Sequence, residues 1–158
     1  MDKLQLYGMK LLPELEPRIF GFINEEISIE ENIKNIINSN NLKEYDYIII
    51  EKSNTIGFKM KWHLDDATLI SHKKDFMFDH QMKISEKKVL HYPNKKPKYS
   101  LIIYSSEYNK DFKGGTFEFV DKKIFPKKNM YILFDSREVH RVNKITYGNR
   151  KNYLIKFY

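Results

Sequence analysis

The stretch Phe58-Lys59-Met60-Lys61-Trp62-His63-Leu64-Asp65 alternates apolar and polar side chains without a break. Side chains two apart on a strand share a face. A strand therefore puts Phe58, Met60, Trp62 and Leu64 on one side and Lys59, Lys61, His63 and Asp65 on the other. A helix would scatter both sets around its circumference. The alternation has a chemical consequence too, because His63 and Asp65 point the same way from one strand.

The chain has no cysteine. That removes disulfides, thiolate metal sites and cysteine nucleophiles, so any metal must sit on His and carboxylate. A second histidine, His140, comes 77 positions after His63 (140 − 63). It follows the turn Phe134-Asp135-Ser136-Arg137-Glu138 and enters a strand expected over 139–145. Two imidazoles and one carboxylate on one side of an iron leave its other positions open, as in the facial triad of non-haem Fe(II) sites. Three further histidines, His72, His80 and His91, lie in an irregular region without a carboxylate at strand spacing, and read as solvated residues. Arg150 stands ten positions after His140 (150 − 140) at the start of the last strand, on a face with Asn152, Leu154 and Lys156. A guanidinium is a flat two-pronged donor that matches a carboxylate. Tyr104 is placed to add a hydroxyl donor to the same carboxylate.

Around these residues the pattern is mainly β. Ser28-Ile29-Glu30-Glu31 has the form of a capping box, and Ile29, Ile33, Ile36 and Ile37 then recur at helical spacing. This predicts a helix over about 29–39, closed by Asn38-Ser39-Asn40-Asn41. Pro13 and Pro17 interrupt an earlier helical or irregular piece around 12–24. Strands are expected at 47–51, 58–65, 99–105, 116–120, 130–135, 139–145 and 151–157. Turn residues connect them: Asn109-Lys110-Asp111 with Gly114-Gly115, Pro126-Lys127-Lys128-Asn129, and Tyr147-Gly148-Asn149. A short helical N-terminal support followed by seven or eight strands predicts a jelly roll or a similar double-sheet barrel. One domain is expected over 1–158, with helical support in 1–44 and a β-core in 45–158. The Lys-rich stretch 66–98 reads as a lid over the mouth.

The ordered pieces resemble the Fe(II)/2-oxoglutarate-dependent dioxygenases, in their prolyl-4-hydroxylase-like branch. They are Trp62-His63-Leu64-Asp65-Asp66, Ile102-Ile103-Tyr104, Gly114-Gly115-Thr116-Phe117-Glu118-Phe119, the stretch Pro126 to Asp135, His140-Arg141-Val142 and Gly148-Asn149-Arg150. The resemblance implies a double-stranded β-helix (jelly roll). It implies that His63, Asp65 and His140 bind Fe(II), and that Arg150 and Tyr104 hold the distal carboxylate of 2-oxoglutarate against an apolar wall of Ile102, Val142 and Leu154. The implied reaction consumes O2, decarboxylates 2-oxoglutarate to succinate and CO2, and hydroxylates a prolyl or other peptidyl residue, with ascorbate as a supporting reductant. The chain departs from many relatives at Glu51–Phe58, which lacks a tyrosine, and at Lys156, where a tryptophan is common.

The net charge is +7, yet 24 of the 28 cations are lysine and four are arginine. Such a charge permits a nucleic-acid partner. With Arg150-Lys151-Asn152 and Lys156 it supports a second reading, an AlkB-like oxidative demethylase of nucleic acid. A third is a metal-free, cupin-like binding module. No signal peptide or membrane-spanning run is seen, which predicts a soluble intracellular protein. The lysine-, isoleucine- and asparagine-rich coding would suit a large DNA virus in a host cytoplasm.

Overall fold

A computed structural model describes residues 14–65, 81–84 and 96–158. Twelve strands and one helix lie within them: β1 (Ile19–Phe22), α1 (Ile29–Ser39), β2 (Tyr47–Asn54), β3 (Met60–His63), β4 (Gln81–Ile84), β5 (Tyr99–Tyr104), β6 (Phe112–Gly114), β7 (Phe117–Phe119), β8 (Lys122–Ile124), β9 (Met130–Asp135), β10 (His140–Val142), β11 (Ile145–Gly148) and β12 (Arg150–Phe157). A six-stranded sheet runs in the order β1-β9-β5-β12-β2-β4. A four-stranded sheet runs β3-β10-β7-β8, and β11 pairs with β6. All the named pairs are antiparallel. This is the jelly roll expected from the strand pattern.

The larger sheet is buried on both faces, which explains the unbroken run Ile48-Ile49-Ile50 in β2. Ile49, Leu101, Ile103, Leu133, Ile155 and Phe157 turn outward and pack under α1 through Ile33, Ile36 and Ile37. Burying an isoleucine such as Ile33, which is wholly enclosed, stabilises by about 1.5–3 kcal/mol. Ser28 caps the helix by accepting the Glu31 N–H at 3.0 Å. On the opposite face Ile102, Tyr104, Ile132 and Phe134 meet Phe117, Phe119 and Val142 of the smaller sheet. The cavity described below lies between the two sheets.

The structure differs from the sequence reading in four places. Residues 19–22 form an edge strand rather than a helical piece, because they pair with Met130–Leu133 of β9. Gly21 leaves room there for the Tyr131 ring. The single strand expected over 139–145 is two strands, which leave for different partners after Val142. β6 and β8 occupy stretches that read as connections. Finally, 81–84, within the stretch read as a lid, forms a strand that extends the larger sheet by pairing with Ile48–Glu51. Of the rest of the expected lid, 66–80 and 85–95 are outside the described residues, as are His72, His80 and His91.

Candidate metal centre and co-substrate pocket

β3 and β10 are neighbours in the smaller sheet, with His63 directly opposite His140. Asp65 follows two residues after His63, and one ligand atom from each of the three lies within 4.8 Å of the others. His63 Nε2 is 3.5 Å from Asp65 Oδ1, and His140 Nε2 is 3.3 Å from the same oxygen. Each imidazole is oriented from behind. His63 Nδ1 is 2.6 Å from the Lys61 carbonyl, and His140 Nδ1 is 2.9 Å from the Glu138 carbonyl. A carbonyl only accepts, so Nδ1 carries the proton in both rings and the Nε2 lone pairs face the shared space. The rings of Phe117 and Phe134, with centroids 5.2 and 5.1 Å away, wall in His140.

The carboxylate is held as carefully as the imidazoles. Ser100 Oγ donates to Asp65 Oδ2 at 2.6 Å, leaving Oδ1 to the two Nε2 atoms. Ser136 Oγ lies 2.9 Å from Ser100 Oγ. Since the one Ser100 proton goes to Asp65, Ser136 is the donor in that second bond. Burial pushes the Asp65 carboxyl up, but Lys156 beside it brings it down, as do His140 and the bonds that His140 and His63 donate once their Nε2 atoms are protonated, and it lies well below the usual range. A buried anion facing two neutral imidazole lone pairs is a donor set that fits a divalent first-row metal.

The same cavity extends to Arg150 and is walled by Ile102, Val142 and Leu154, with Phe117 and Met60 completing the apolar lining. Arg150 is 3 % exposed. Its Nε donates to the Gly115 carbonyl at 2.8 Å, and its two terminal nitrogens donate to Asn152 Oδ1 at 3.0 Å and to the Tyr104 hydroxyl at 3.3 Å. Gly115 has φ +61, and a Cβ there would meet the Arg150 side chain at 3.0 Å. The glycine thus permits both the turn of its carbonyl and the close approach of the guanidinium. Burial lowers the Arg150 pKa and the Tyr104 oxygen opposes that shift. All three acceptors of Arg150 are neutral, so its charge is left for an anion.

The structure thus brings together every residue singled out for the site: His63, Asp65, His140, Arg150, Tyr104, Ile102, Val142 and Leu154. It corrects the expected faces of β3. Two steps along β10, from His140 to Val142, match three along β3, from His63 to Met60. This bulge swings Met60 into the cavity with His63. Trp62 lands outside, 44 % exposed, with the Arg141 guanidinium 4.6 Å from its ring centroid. A bulge re-aims side chains in this way, and strict alternation cannot anticipate it. Sequence reasoning placed Asn152 on the face of Arg150 without giving it a role, and missed Ser100 and the buried Lys52, neither of which belongs to a motif.

The comparisons agree with this geometry. The family model described as 2OG-Fe(II) oxygenase superfamily matches residues 48–158. A 65-residue stretch is 34% identical to the 2-oxoglutarate and iron-dependent oxygenase domain-containing protein 3 of Xenopus tropicalis, covering 37% of this chain and 20% of that protein. The chain therefore matches about a fifth of that relative's length. The fold is similar to that of the viral collagen prolyl hydroxylase of Paramecium bursaria Chlorella virus-1, solved as its 2OG complex. The TM-score is 0.56 at 16% identity, over 89% of this chain and 77% of that one. It is also similar to a Pseudomonas putida prolyl-4-hydroxylase, with a TM-score of 0.52 at 15% identity, over 82% and 62%. The match over residues 48–158 takes in the triad and the arginine, and the chain belongs to the 2OG-Fe(II) oxygenase superfamily.

Proposed function

We propose that the chain is an Fe(II)- and 2-oxoglutarate-dependent hydroxylase of peptidyl residues, with proline as the target. The carrying observation is one cavity with a two-histidine, one-aspartate cluster at one end and a buried arginine with neutral partners at the other. His63, Asp65 and His140 hold the metal. Arg150 and the Tyr104 hydroxyl hold the distal carboxylate of 2-oxoglutarate, while Ile102, Val142 and Leu154 exclude water from its methylenes. When bound, the metal supplies the O2-dependent redox chemistry that couples loss of CO2 from 2-oxoglutarate to hydroxylation. The protein's part is placement. The backbone carbonyls behind the imidazoles fix their tautomers, and Ser100 fixes the carboxylate. The prolyl target is supported by the fold likeness to two proteins whose names state that activity.

The test is succinate formation from 2-oxoglutarate with Fe(II) and ascorbate, against proline-rich peptides and methylated oligonucleotides. Coupled turnover on a peptide is expected. Turnover confined to oligonucleotides would replace this reading with a nucleic-acid demethylase. Arg150→Ala should raise the 2-oxoglutarate requirement sharply and leave the metal bound. If His63→Ala and Asp65→Ala change neither ligand binding nor iron content, the protein is a binding module and the enzyme reading fails.

A further inference from the structure

The segment ahead of β1 has no role in the scheme above, yet one of its side chains grips the loop that precedes His140. Arg18 stands next to Ile19, the first residue of β1. Its Nε donates to Glu138 Oε2 at 2.7 Å, and one terminal nitrogen donates to Glu138 Oε1 at 2.6 Å, a two-pronged contact. The same terminal nitrogen donates to Asp121 Oδ1 at 2.6 Å, in the turn between β7 and β8. The guanidinium carbon lies 3.9 Å from the centroid of the Phe119 ring on β7. A single side chain thus ties the β9–β10 loop to the β7–β8 hairpin. The backbone beside it holds the other end of that loop: the Glu16 N–H donates to Asp135 Oδ2 at 3.2 Å, and Arg137 reaches the Glu14 carbonyl at 3.4 Å.

Two of the points that Arg18 touches lead to His140. Glu138 is held by its side chain and holds with its backbone, since its carbonyl accepts the His140 Nδ1 proton at 2.9 Å. Such a bond fixes the tautomer and the direction of a ligating ring. Phe119 pairs with His140 across β7 and β10, and its ring stands 5.3 Å from that of Phe134, which walls the imidazole. Glu138 is 7 % exposed, and a carboxylate at that depth is costly unless paired. A lone ammonium would satisfy the charge. The fork of a guanidinium also fixes the plane of the carboxylate, so the loop cannot turn at Glu138 without breaking both bonds. His63 is held differently: its Nδ1 bond goes to Lys61 of its own strand. Among the described residues no hydrogen bond or ion pair joins residues 14–18 to β3.

We propose that Arg18 is a positioning residue for the metal centre: its clamp on Glu138 and Phe119 sets the loop whose carbonyl aims His140 at the metal. It acts on one ligand of the three, from 122 positions away (140 − 18). The inference rests on the metal reading above. Arg18 lies ahead of the stretch that matches the family, so the support of the site extends beyond that stretch.

The test compares the full chain with Arg18→Met and with the double variant Arg18→Met/Glu138→Met. The probe is Zn(II), a diamagnetic ion that takes His and carboxylate ligands. Three quantities are read: Zn(II) affinity, melting temperature, and the NMR signals of the two histidine Nδ1 protons in the Zn(II)-loaded protein. Arg18→Met leaves Glu138 buried without its cation and should lower the melting temperature. It should also weaken Zn(II) about three- to tenfold, less than the tenfold to 100-fold typical of a group bonded directly to a ligand. The His140 Nδ1 proton should shift and exchange faster with water, while that of His63 stays in place. The double variant removes the buried charge with its partner, and an apolar pair in place of a buried ion pair is often neutral or stabilising. Its melting temperature should return, and its Zn(II) affinity and His140 signal should not. Affinity and signal that return together with stability mean a pair that only supports the fold, and overturn the proposal. So does a His63 signal that moves as far as that of His140. Arg18→Lys, which keeps the charge and loses the fork, decides the matter if Arg18→Met fails to fold: it should shift the His140 signal alone. If the unaltered protein fails to bind Zn(II), the metal reading itself falls. Normal Zn(II) binding with unmoved variants removes only Arg18.

Discussion

Ser100→Ala isolates what orientation of one ligand is worth to the metal centre. Ser100 is wholly buried, and its single proton goes to Asp65 Oδ2 at 2.6 Å. That bond leaves Oδ1 facing both imidazole nitrogens at 3.3 and 3.5 Å. Without it the carboxylate is free to rotate, and Ser136 Oγ loses the acceptor that it now reaches at 2.9 Å. A hydrogen bond to a charged group contributes about 1.5–3 kcal/mol, and 1.36 kcal/mol is a factor of ten at room temperature. Metal affinity should therefore fall about tenfold to 100-fold, the range typical of residues behind a metal ligand. The assay is Mn(II) or anaerobic Fe(II) titration, with circular dichroism to confirm the fold. Ser136→Ala provides the gradient: it touches Asp65 only through Ser100, so its effect should be several-fold smaller. A Ser100→Ala dissociation constant within threefold of the unaltered protein would refute the idea that this hydroxyl sets the carboxylate. So would an equal effect of the two variants.

Three other perturbations probe the scaffold. Gly115→Ala puts a Cβ against Arg150 in a left-handed backbone conformation. It should cost about 1–3 kcal/mol in denaturant unfolding and weaken 2-oxoglutarate far more than metal, whereas equal losses for both would mean general unfolding. Asn32→Ala removes bonds to both backbone groups of Asn24 and to the Ser28 carbonyl ahead of α1. A loss of about 1–3 kcal/mol, seen as a lower urea midpoint at constant slope, is expected with metal affinity intact. Asp135 is pushed up by burial, but Arg137 and the backbone N–H groups of Arg137 and Glu16 bring its carboxyl below its unperturbed 3.8. Its contribution to stability is fully present above that pH and is lost as pH falls through the depressed value. The stability gap between the unaltered protein and Asp135→Asn should therefore narrow in acid, and a gap that is constant from neutral pH to pH 2 would contradict the assignment.

The parts of the site that could be read from the chain are those whose geometry is local. His63 and Asp65 share a face because they are two apart near one strand end, and that relation survives the bulge two residues upstream. The helix over 29–39 was legible because its period and its cap lie within twelve consecutive residues. What escaped depends on partners far along the chain. β1 exists because Ile19 meets Leu133, and a four-residue segment after a proline carries no sign of that. β6 and β8 are three residues each, too short for any period to show.

Lys52 and Ser100 illustrate the same limit within the site. In sequence, Lys52 falls just beyond the strand expected over 47–51, and Ser100 is a small residue between Tyr99 and Leu101. Neither belongs to a motif, because neither reaches the site through its own strand. Lys52 reaches the cavity by pairing with Asn152, and Ser100 reaches Asp65 across 35 positions of chain. Motif residues name the chemistry, since the metal and the co-substrate dictate their types and order. The residues packed around that chemistry are placed by sheet register, and a one-residue slip of β2 against β12 would turn Lys52 out of the cavity and Ser53 into it. Affinity for the 2-oxo acid is therefore expected to track the β2–β12 register. A proline at Ile49, which pairs with Ile155 on one side and Lys83 on the other and so loses a ladder N–H, should degrade 2-oxoglutarate binding before it degrades metal binding, since His63 and His140 reside on the other sheet. Loss of metal first, on gradual denaturation of that variant, would show that the two sheets do not divide the site in this way.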